Sequence, residues 1–306
     1  MLKPGLYEQI VNADLRSELA AIPAERKFLE KIDTAEASQI IAKYISAVVK
    51  KGLDNIADNG GELKEQIAFA NQIVDLIERT TNDSYFKSLE IDPSSEILLA
   101  LLKEHDPLLL TGGIRKLKRP ETSIAKSSLF TGAASEPQLF SELKREISSA
   151  DRFDMLVSFI KWSGLRLLID DLADFTNRGG KLRVITTSYM GATDIKAIEA
   201  LQALANTEIK ISYNTKQTRL HAKAYVFYRE TGFTTAYIGS SNVSNAALTS
   251  GLEWNNKITS TDQSETINKV LATFDYYWND REFESYSNEQ QDRLAIALKA
   301  EHYAEN

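Results

Sequence analysis

The chain has 306 residues, of which 43% are hydrophobic and 26% charged, the balance of a soluble globular protein long enough for two domains. It has no cysteine, which excludes disulfides, thiolate nucleophiles and cysteine-based zinc sites together. The net charge of -7 is uneven: residues 1–110 hold 12 Lys and Arg against 19 Asp and Glu, while the rest balances 24 against 24, so a local basic cleft is open only to the later part.

The N-terminal stretch MLKPGLYEQIVNADLRSELAAI has acidic residues early and no unbroken apolar run. It reads as neither a signal peptide nor a membrane span, and the expected location is the cytoplasm. Residues 1–110 carry apolar positions at three- and four-residue spacing, interrupted by Pro23, by Asp58–Gly61 and by Asp92-Pro93, and they are expected to form a helical N-terminal domain. Asp33 and Glu36 have the spacing of a capping box ahead of SQIIAKYISAVVKKGL, where the aspartate would accept from an orphan N–H. Residues 111–126, within a Gly-, Pro-, Ser- and Thr-containing stretch, are expected to be a linker to a second domain over 127–306.

In the second domain the rhythm changes. PQLFSELKREISSA predicts an amphipathic helix, RFDMLVSFI a buried strand, SGLRLLIDDLADFTNRG a helix, GKLRVITTSY a strand, TDIKAIEALQAL a helix and TEIKISYN a strand. HAKAYVFYR and TTAYIGSS predict two more strands around a turn at Gly232, and SETINKVLATFDYYWND and NEQQDRLAIALKAEHYAE close the chain as helices. The expected fold class is α/β, a mixed, mainly parallel sheet with helices on both faces.

One stretch carries chemistry. In HAKAYVFY the strand period of two sets His221, Lys223, Tyr225 and Phe227 on one face. Gly239 permits close backbone approach, the helix beginning in VSNAAL turns its first N–H groups toward the strand ends, and Ser240 and Asn242 add neutral donors. A cation, a group that titrates near neutrality and these donors together suit a phosphate.

His221-x-Lys223 followed by Gly239-Ser240-x-Asn242 resembles the HKD motif of the phospholipase D superfamily. The resemblance implies cleavage or transfer of phosphodiesters through a covalent phosphohistidine, without metal or cofactor. Glu253, in GLEWNNK, matches the glutamate that superfamily nucleases use to orient the histidine. The superfamily pattern has Asp five residues after the lysine, where this chain has Tyr228; strand alternation aims that position away from the His221 face. Residues 127–261 further resemble the phospholipase D-like domain at the N-terminus of certain bacterial superfamily-II helicases. The chain itself has no GxxxxGK[ST] phosphate loop, so the implied partner is a helicase domain or subunit.

The resemblance assigns His221 as nucleophile, Lys223, Ser240 and Asn242 as phosphate ligands and Glu253 as the partner of the imidazole. A second histidine must act as acid and base. The other two, His105 in KEHDP and His302 in AEHYAEN, lie outside any HxK context and read as surface residues, so the expected enzyme is a homodimer with two copies of His221 across a twofold axis. DNA is the expected substrate, with Arg115, Lys116, Lys118 and Arg119 of IRKLKRP as candidate backbone contacts, and no membrane is involved. A catalytically silent nucleic-acid docking module and a phospholipid phosphodiesterase stay open as alternatives. Trp162, Trp254 and Trp278 read as core or interface aromatics.

Overall fold

The computed structural model describes residues 2–102, 118–133, 135–216 and 219–304. It divides into two compact units, Met1–Glu104 and His105–Asn306.

In the first unit, α1 (Ala13–Ala20) is capped by Asn12, whose side chain accepts from the Leu15 N–H at 2.9 Å. The capping box expected at Asp33 and Glu36 does not form. Asp33 Oδ1 accepts from the Ala35 N–H at 2.8 Å and closes a tight turn, and α2 (Ala37–Asp58) begins after Glu36 without a side-chain cap. The reciprocal pairing occurs instead between Glu62 and Glu65 at the start of α3 (Leu63–Thr81). The helices α2 and α3 approach closely at Gly52, where an added Cβ would stand 3.1 Å from the Phe69 ring.

The second unit is built on one eight-stranded sheet, formed by β1 (Ser128–Phe130), β2 (Arg152–Leu156), β3 (Lys181–Thr187), β4 (Thr207–Ser212), β5 (Ala224–Tyr228), β6 (Thr235–Gly239), β7 (Asn255–Thr259) and β8 (Phe283–Ser285). The spatial order is β1-β7-β6-β5-β2-β3-β4-β8. Among the strand pairs, β2–β3 and β3–β4 are parallel, with connections that run through helices, and the other five are antiparallel; one isolated parallel bridge joins Ile160 and Val243. The three-residue β1 and β8 carry too few residues to show a period in the sequence.

The helices are α4 (Leu139–Ser149), α5 (Trp162–Leu165), α6 (Ile169–Asn177), α7 (Ile195–Gln202), α8 (Asn245–Thr249), α9 (Ser264–Asn279) and α10 (Gln291–Ala304). The stretch expected as one helix from Ser163 is thus two, α5 and α6. On one sheet face Phe153, Met155, Val184, Tyr225, Phe227 and Tyr237 pack with apolar side chains of α4, α6, α7 and α10. On the other, Leu156, Ile185, Val226, Ala236 and Ile258 pack with Ile267 and Phe274 of α9. Complete burial of a side chain such as Phe227 contributes about 1.5–3 kcal/mol.

A buried polar cluster fixes α4 to the sheet. Glu142 and Glu146 lie beside the apolar stripe of α4 and are fully buried. Glu146 accepts from Arg229 Nη2 at 2.5 Å, Thr235 Oγ1 at 2.8 Å and Tyr237 OH at 2.9 Å, and pairs with Lys257 Nζ at 3.0 Å. Glu142 accepts from the Glu121 N–H at 2.6 Å and from Thr122 Oγ1 at 3.0 Å. Burial opposes ionisation of Glu146, but the charges of Arg229 and Lys257 outweigh it and hold the carboxyl below the usual glutamate range.

Candidate active site

The ends of β5, β6 and β7 bring the candidate residues together. Strand β5 begins at Ala224, so His221 and Lys223 belong to the extended segment that leads into it and not to the strand itself. Within β5 the expected alternation holds, with Tyr225 and Phe227 in one core and Ala224 and Val226 in the other. His221 is exposed, whereas Lys223 is only 4% exposed. Lys223 Nζ lies 3.0 Å from His221 Nδ1 and donates to the His221 carbonyl at 2.6 Å. Burial lowers the pKa of Lys223, and the negative charge of Glu253 offsets part of that shift.

Asn242 is buried, and its Oδ1 accepts from the Ser158 N–H at 3.0 Å and the Phe159 N–H at 3.2 Å, just beyond β2. The oxygen is thereby occupied, and the amide NH2 is what this side chain can offer a phosphoryl oxygen. The neighbouring Ser241 is held by three bonds: its carbonyl accepts from Tyr225 OH at 2.9 Å, and its Oγ accepts from Asn255 Nδ2 at 2.8 Å and donates to the Ala247 carbonyl at 3.5 Å. Burial, with the charge of Glu253 adding to it, pushes the Tyr225 phenol up, so this hydroxyl stays a donor.

Gly239 has the close backbone approach expected of it, because an added Cβ would fall 2.0 Å from the Trp254 carbonyl oxygen. Ser240 N–H donates to that same carbonyl at 3.1 Å, and Ser240 Oγ accepts from the Trp254 N–H at 3.2 Å. Ser240 Oγ also donates to Glu253 Oε2. Glu253 is therefore engaged by Ser240, and no hydrogen bond joins it to His221 among the described residues. The helix expected to aim donors at the site, α8, has five residues, and Ser244 Oγ caps it by accepting from the Ala247 N–H at 3.2 Å.

A cavity of about 140 Å³ lies beside Glu253, lined by Phe130, Glu136, Leu139, Leu248 and Asn255 among others. His221 and Lys223 do not line it. Tyr228 ends β5, about 16 Å from Lys223 by the rise of a strand. Its ring lies under the Arg152 guanidinium, 4.9 Å from the centroid.

Of the basic candidates, Arg115 and Lys116 lie outside the described residues, as does His105, and the side chain of His302 is likewise not described. Lys118 is exposed, and its carbonyl accepts from Ser148 Oγ at 3.5 Å; the Arg119 carbonyl accepts from Arg145 Nη1 at 3.3 Å. That segment is tied to α4 and not to the strand ends that carry His221.

Two features escaped the sequence reading. The amides of Ser158 and Phe159 that position Asn242 are main-chain groups with no residue signature. Trp254 is 64% exposed and so lies outside the core of this unit, whereas Trp162 and Trp278 pack against the two cores. Among the described residues no cluster of three or more His, Asp or Glu side chains is placed to hold a metal ion, and no helix is long and apolar enough to cross a membrane.

Residues 143–278 match the family model described as "Cardiolipin synthase, PLD-like domain". The mixed sheet flanked by helices has the phospholipase D-like fold. Among solved structures, the chain is similar to NucT from Helicobacter pylori, at 23% identity over 49% of this chain and 94% of that one, with a TM-score of 0.39. It is similar also to Nuc from Salmonella typhimurium, a phospholipase D family member, at 18% identity over 53% and 100%, with a TM-score of 0.41. A third likeness is to the archaeal chromatin protein TrmBL2, at 13% identity over 69% and 68%, with a TM-score of 0.35. No curated protein matches the chain.

Proposed function

We propose that the phospholipase D-like domain of this chain is a phosphodiesterase that cleaves DNA through a phosphohistidine on His221, in an active site shared by two copies of the chain. The observation that carries the reading is the pairing of an exposed imidazole with a buried lysine, 3.0 Å apart, beside an asparagine whose oxygen is fixed and whose NH2 is available. In the first step a nitrogen of His221 forms a bond to phosphorus, and the bond to the leaving oxygen breaks. The partner's His221, protonated, gives its proton to that oxygen. Water then attacks phosphorus, the partner's imidazole takes a proton from it, and the phosphorus–nitrogen bond breaks. Lys223 and Asn242, with Ser240, stabilise charge on the non-bridging oxygens, each well-placed donor contributing about 3 kcal/mol.

Lys223 and Glu253 are each engaged elsewhere before substrate arrives. A phosphoryl oxygen that draws Lys223 Nζ to itself releases Nδ1 of His221, and Glu253, once released from Ser240, takes the role that the superfamily resemblance implies, accepting from the imidazole and fixing its tautomer. No resident metal enters these steps, as the superfamily resemblance implies. Association with a helicase domain or subunit, in the manner of the helicase-linked domains that the sequence resembles, is part of the proposal.

The test is cleavage of labelled DNA in EDTA by the protein and by His221→Ala. EDTA-resistant cleavage that the substitution abolishes is the expected result; no cleavage, or equal cleavage by the variant, refutes the nuclease reading. Light scattering is expected to give the mass of two chains, and an active monomer refutes the shared site. The name of the matched family favours a second reading, phospholipid turnover, for which the assay is headgroup release from liposomes.

A further inference from the structure

We propose that Arg219 binds the phosphate next to the one under attack, so that the site selects a strand of phosphodiesters over a substrate with a single one. This inference rests on the phosphohistidine reading above, which fixes the attacked phosphorus at His221. Arg219 lies two residues before that histidine, in the segment that leads into β5. The side chains of His221 and Lys223 meet at 3.0 Å, while Leu220 and Ala224 both pack in the core on the other face of the sheet. The same alternation sets Arg219 on the side of His221 and Lys223. At about 3.3 Å per residue, positions 219 and 221 are about 7 Å apart, and a nucleic acid strand carries a phosphate charge about every 3.4 Å of its rise. A strand bonded to His221 thus brings a neighbouring phosphate within reach of an arginine at residue 219.

A second observation places the guanidinium at the same end of the sheet. β3 runs parallel to β2 and β5 antiparallel to it, so the turn that follows β3 and the segment that precedes β5 share one edge. The Arg219 guanidinium lies over the ring of Tyr189 in that turn, 5.4 Å from the centroid. The turn is braced: Tyr189 N–H donates to Thr187 Oγ1 at 3.1 Å, Gly191 N–H donates to the Ser188 carbonyl at 3.1 Å, and α10 packs against it. Contact with the ring restricts the side chain before substrate arrives, so less rotamer entropy is lost on binding. Its charge is also uncommitted. Among the described residues no carboxylate pairs with Arg219, whereas Lys161, just beyond β2 at the same edge, lies 3.4 Å from Asp194, and Lys223 is turned to His221. A guanidinium offers five N–H donors in a planar fork that matches phosphate. A substrate with one phosphodiester spends that phosphate at His221 and leaves the fork unused; a strand supplies the next one.

The experiment compares the full chain with Arg219→Gln and Arg219→Lys on two substrates. One is tetrathymidylate, and the other is the same tetramer with its two outer linkages as uncharged methylphosphonates, which leaves the central phosphodiester without charged neighbours. Arg219→Gln is expected to lower kcat/KM at the central linkage of the charged tetramer about tenfold, the lower end for a hydrogen bond to a charged group because residue 219 is exposed. On the neutral-flanked tetramer it is expected to change kcat/KM less than about twofold. Arg219→Lys is expected to keep part of the preference, since it keeps the charge and loses the fork. With His221→Ala stopping cleavage, Arg219→Gln is expected to reduce the slope of log K against log salt for a longer oligothymidylate by about 0.7, one phosphate contact on a single strand. An equal loss on both tetramers, which is what a purely structural role gives, overturns the assignment, as does no loss on the charged one or an unchanged salt slope. Cleavage by the unsubstituted chain that His221→Ala abolishes leaves the nuclease reading standing alongside any of these results; absence of both cleavage by the unsubstituted chain and binding by His221→Ala removes both.

Discussion

Replacing Asn242 separates what its two ends do. Oδ1 takes the Ser158 and Phe159 N–H groups, one in a buried residue and one in a half-buried residue, while the NH2 is the part assigned to phosphate. Asn242→Ala leaves both N–H groups without their acceptor. At about 1–3 kcal/mol for each buried donor left unpaired, and the lower end for the half-buried one, the expected loss is about 2–4 kcal/mol of stability. Asn242→Asp keeps an oxygen in place for both donors, and two such bonds favour the ionised carboxylate. Stability is then retained, but a negative charge and no N–H group face the substrate oxygens, and the rate falls about a hundred- to a thousandfold. Urea unfolding and single-turnover cleavage of a labelled oligonucleotide read the two effects separately. Wild-type stability for Asn242→Ala, or a wild-type rate for Asn242→Asp, refutes this division of labour.

Other substitutions test the supports of the site. Glu146→Ala leaves Arg229 and Lys257 buried without their carboxylate, for an expected cost of about 3–5 kcal/mol by urea unfolding. Because the folded pKa of Glu146 is lowered, the stability it gives is complete above the unfolded glutamate value of about 4.3 and is lost as pH falls through the lower folded one; acid unfolding of the wild type is expected to be steeper below about pH 4 than that of Glu146→Gln. Gly239→Ala drives a Cβ into the Trp254 carbonyl and is expected to lower stability by about 1–3 kcal/mol, read by thermal melting, and to reduce cleavage because Ser240 moves with the backbone. Tyr228→Asp restores the superfamily residue but sits at the far end of β5; single-turnover cleavage is expected to stay within about twofold of wild type, and a large gain would show that the position acts on the site.

The parts of this fold that were legible in the sequence are those with a repeating pattern. The runs around Val184, Ile209 and Val226 are strands because alternating side chains fill two cores, and Ser264–Asn279 is a helix because its apolar face lies on the sheet. The two short edge strands β1 and β8 were missed for lack of length, and β7 was missed because Lys257 occupies a buried position that pattern reading assigns to an apolar residue. Helix α4 was read correctly as amphipathic, but its two buried glutamates look like solvent-facing residues until Arg229 and Lys257, from distant strands, are placed against them. At the site, residue types and spacing identified the group around His221. They did not show that Glu253 turns to Ser240 or that Trp254 is exposed, since both depend on how the segment before β7 meets the end of β6.

The order of strands also bears on when the protein can act during its own synthesis. Asn242 is positioned by amides 83 and 84 residues before it, β5 adds beside β2, and β7 follows all of these to join β6 and β1. A ribosome adding about 5–20 residues per second therefore releases His221 well before Glu253 and the strand that follows it. Until that strand emerges, Ser240 has neither of its Trp254 contacts, although β2, β5 and β6 can already hold Lys223 and Asn242. Under the proposed function, a chain that ends before β7 lacks Glu253 and the main-chain support of Ser240, and it is expected not to cleave nucleic acid.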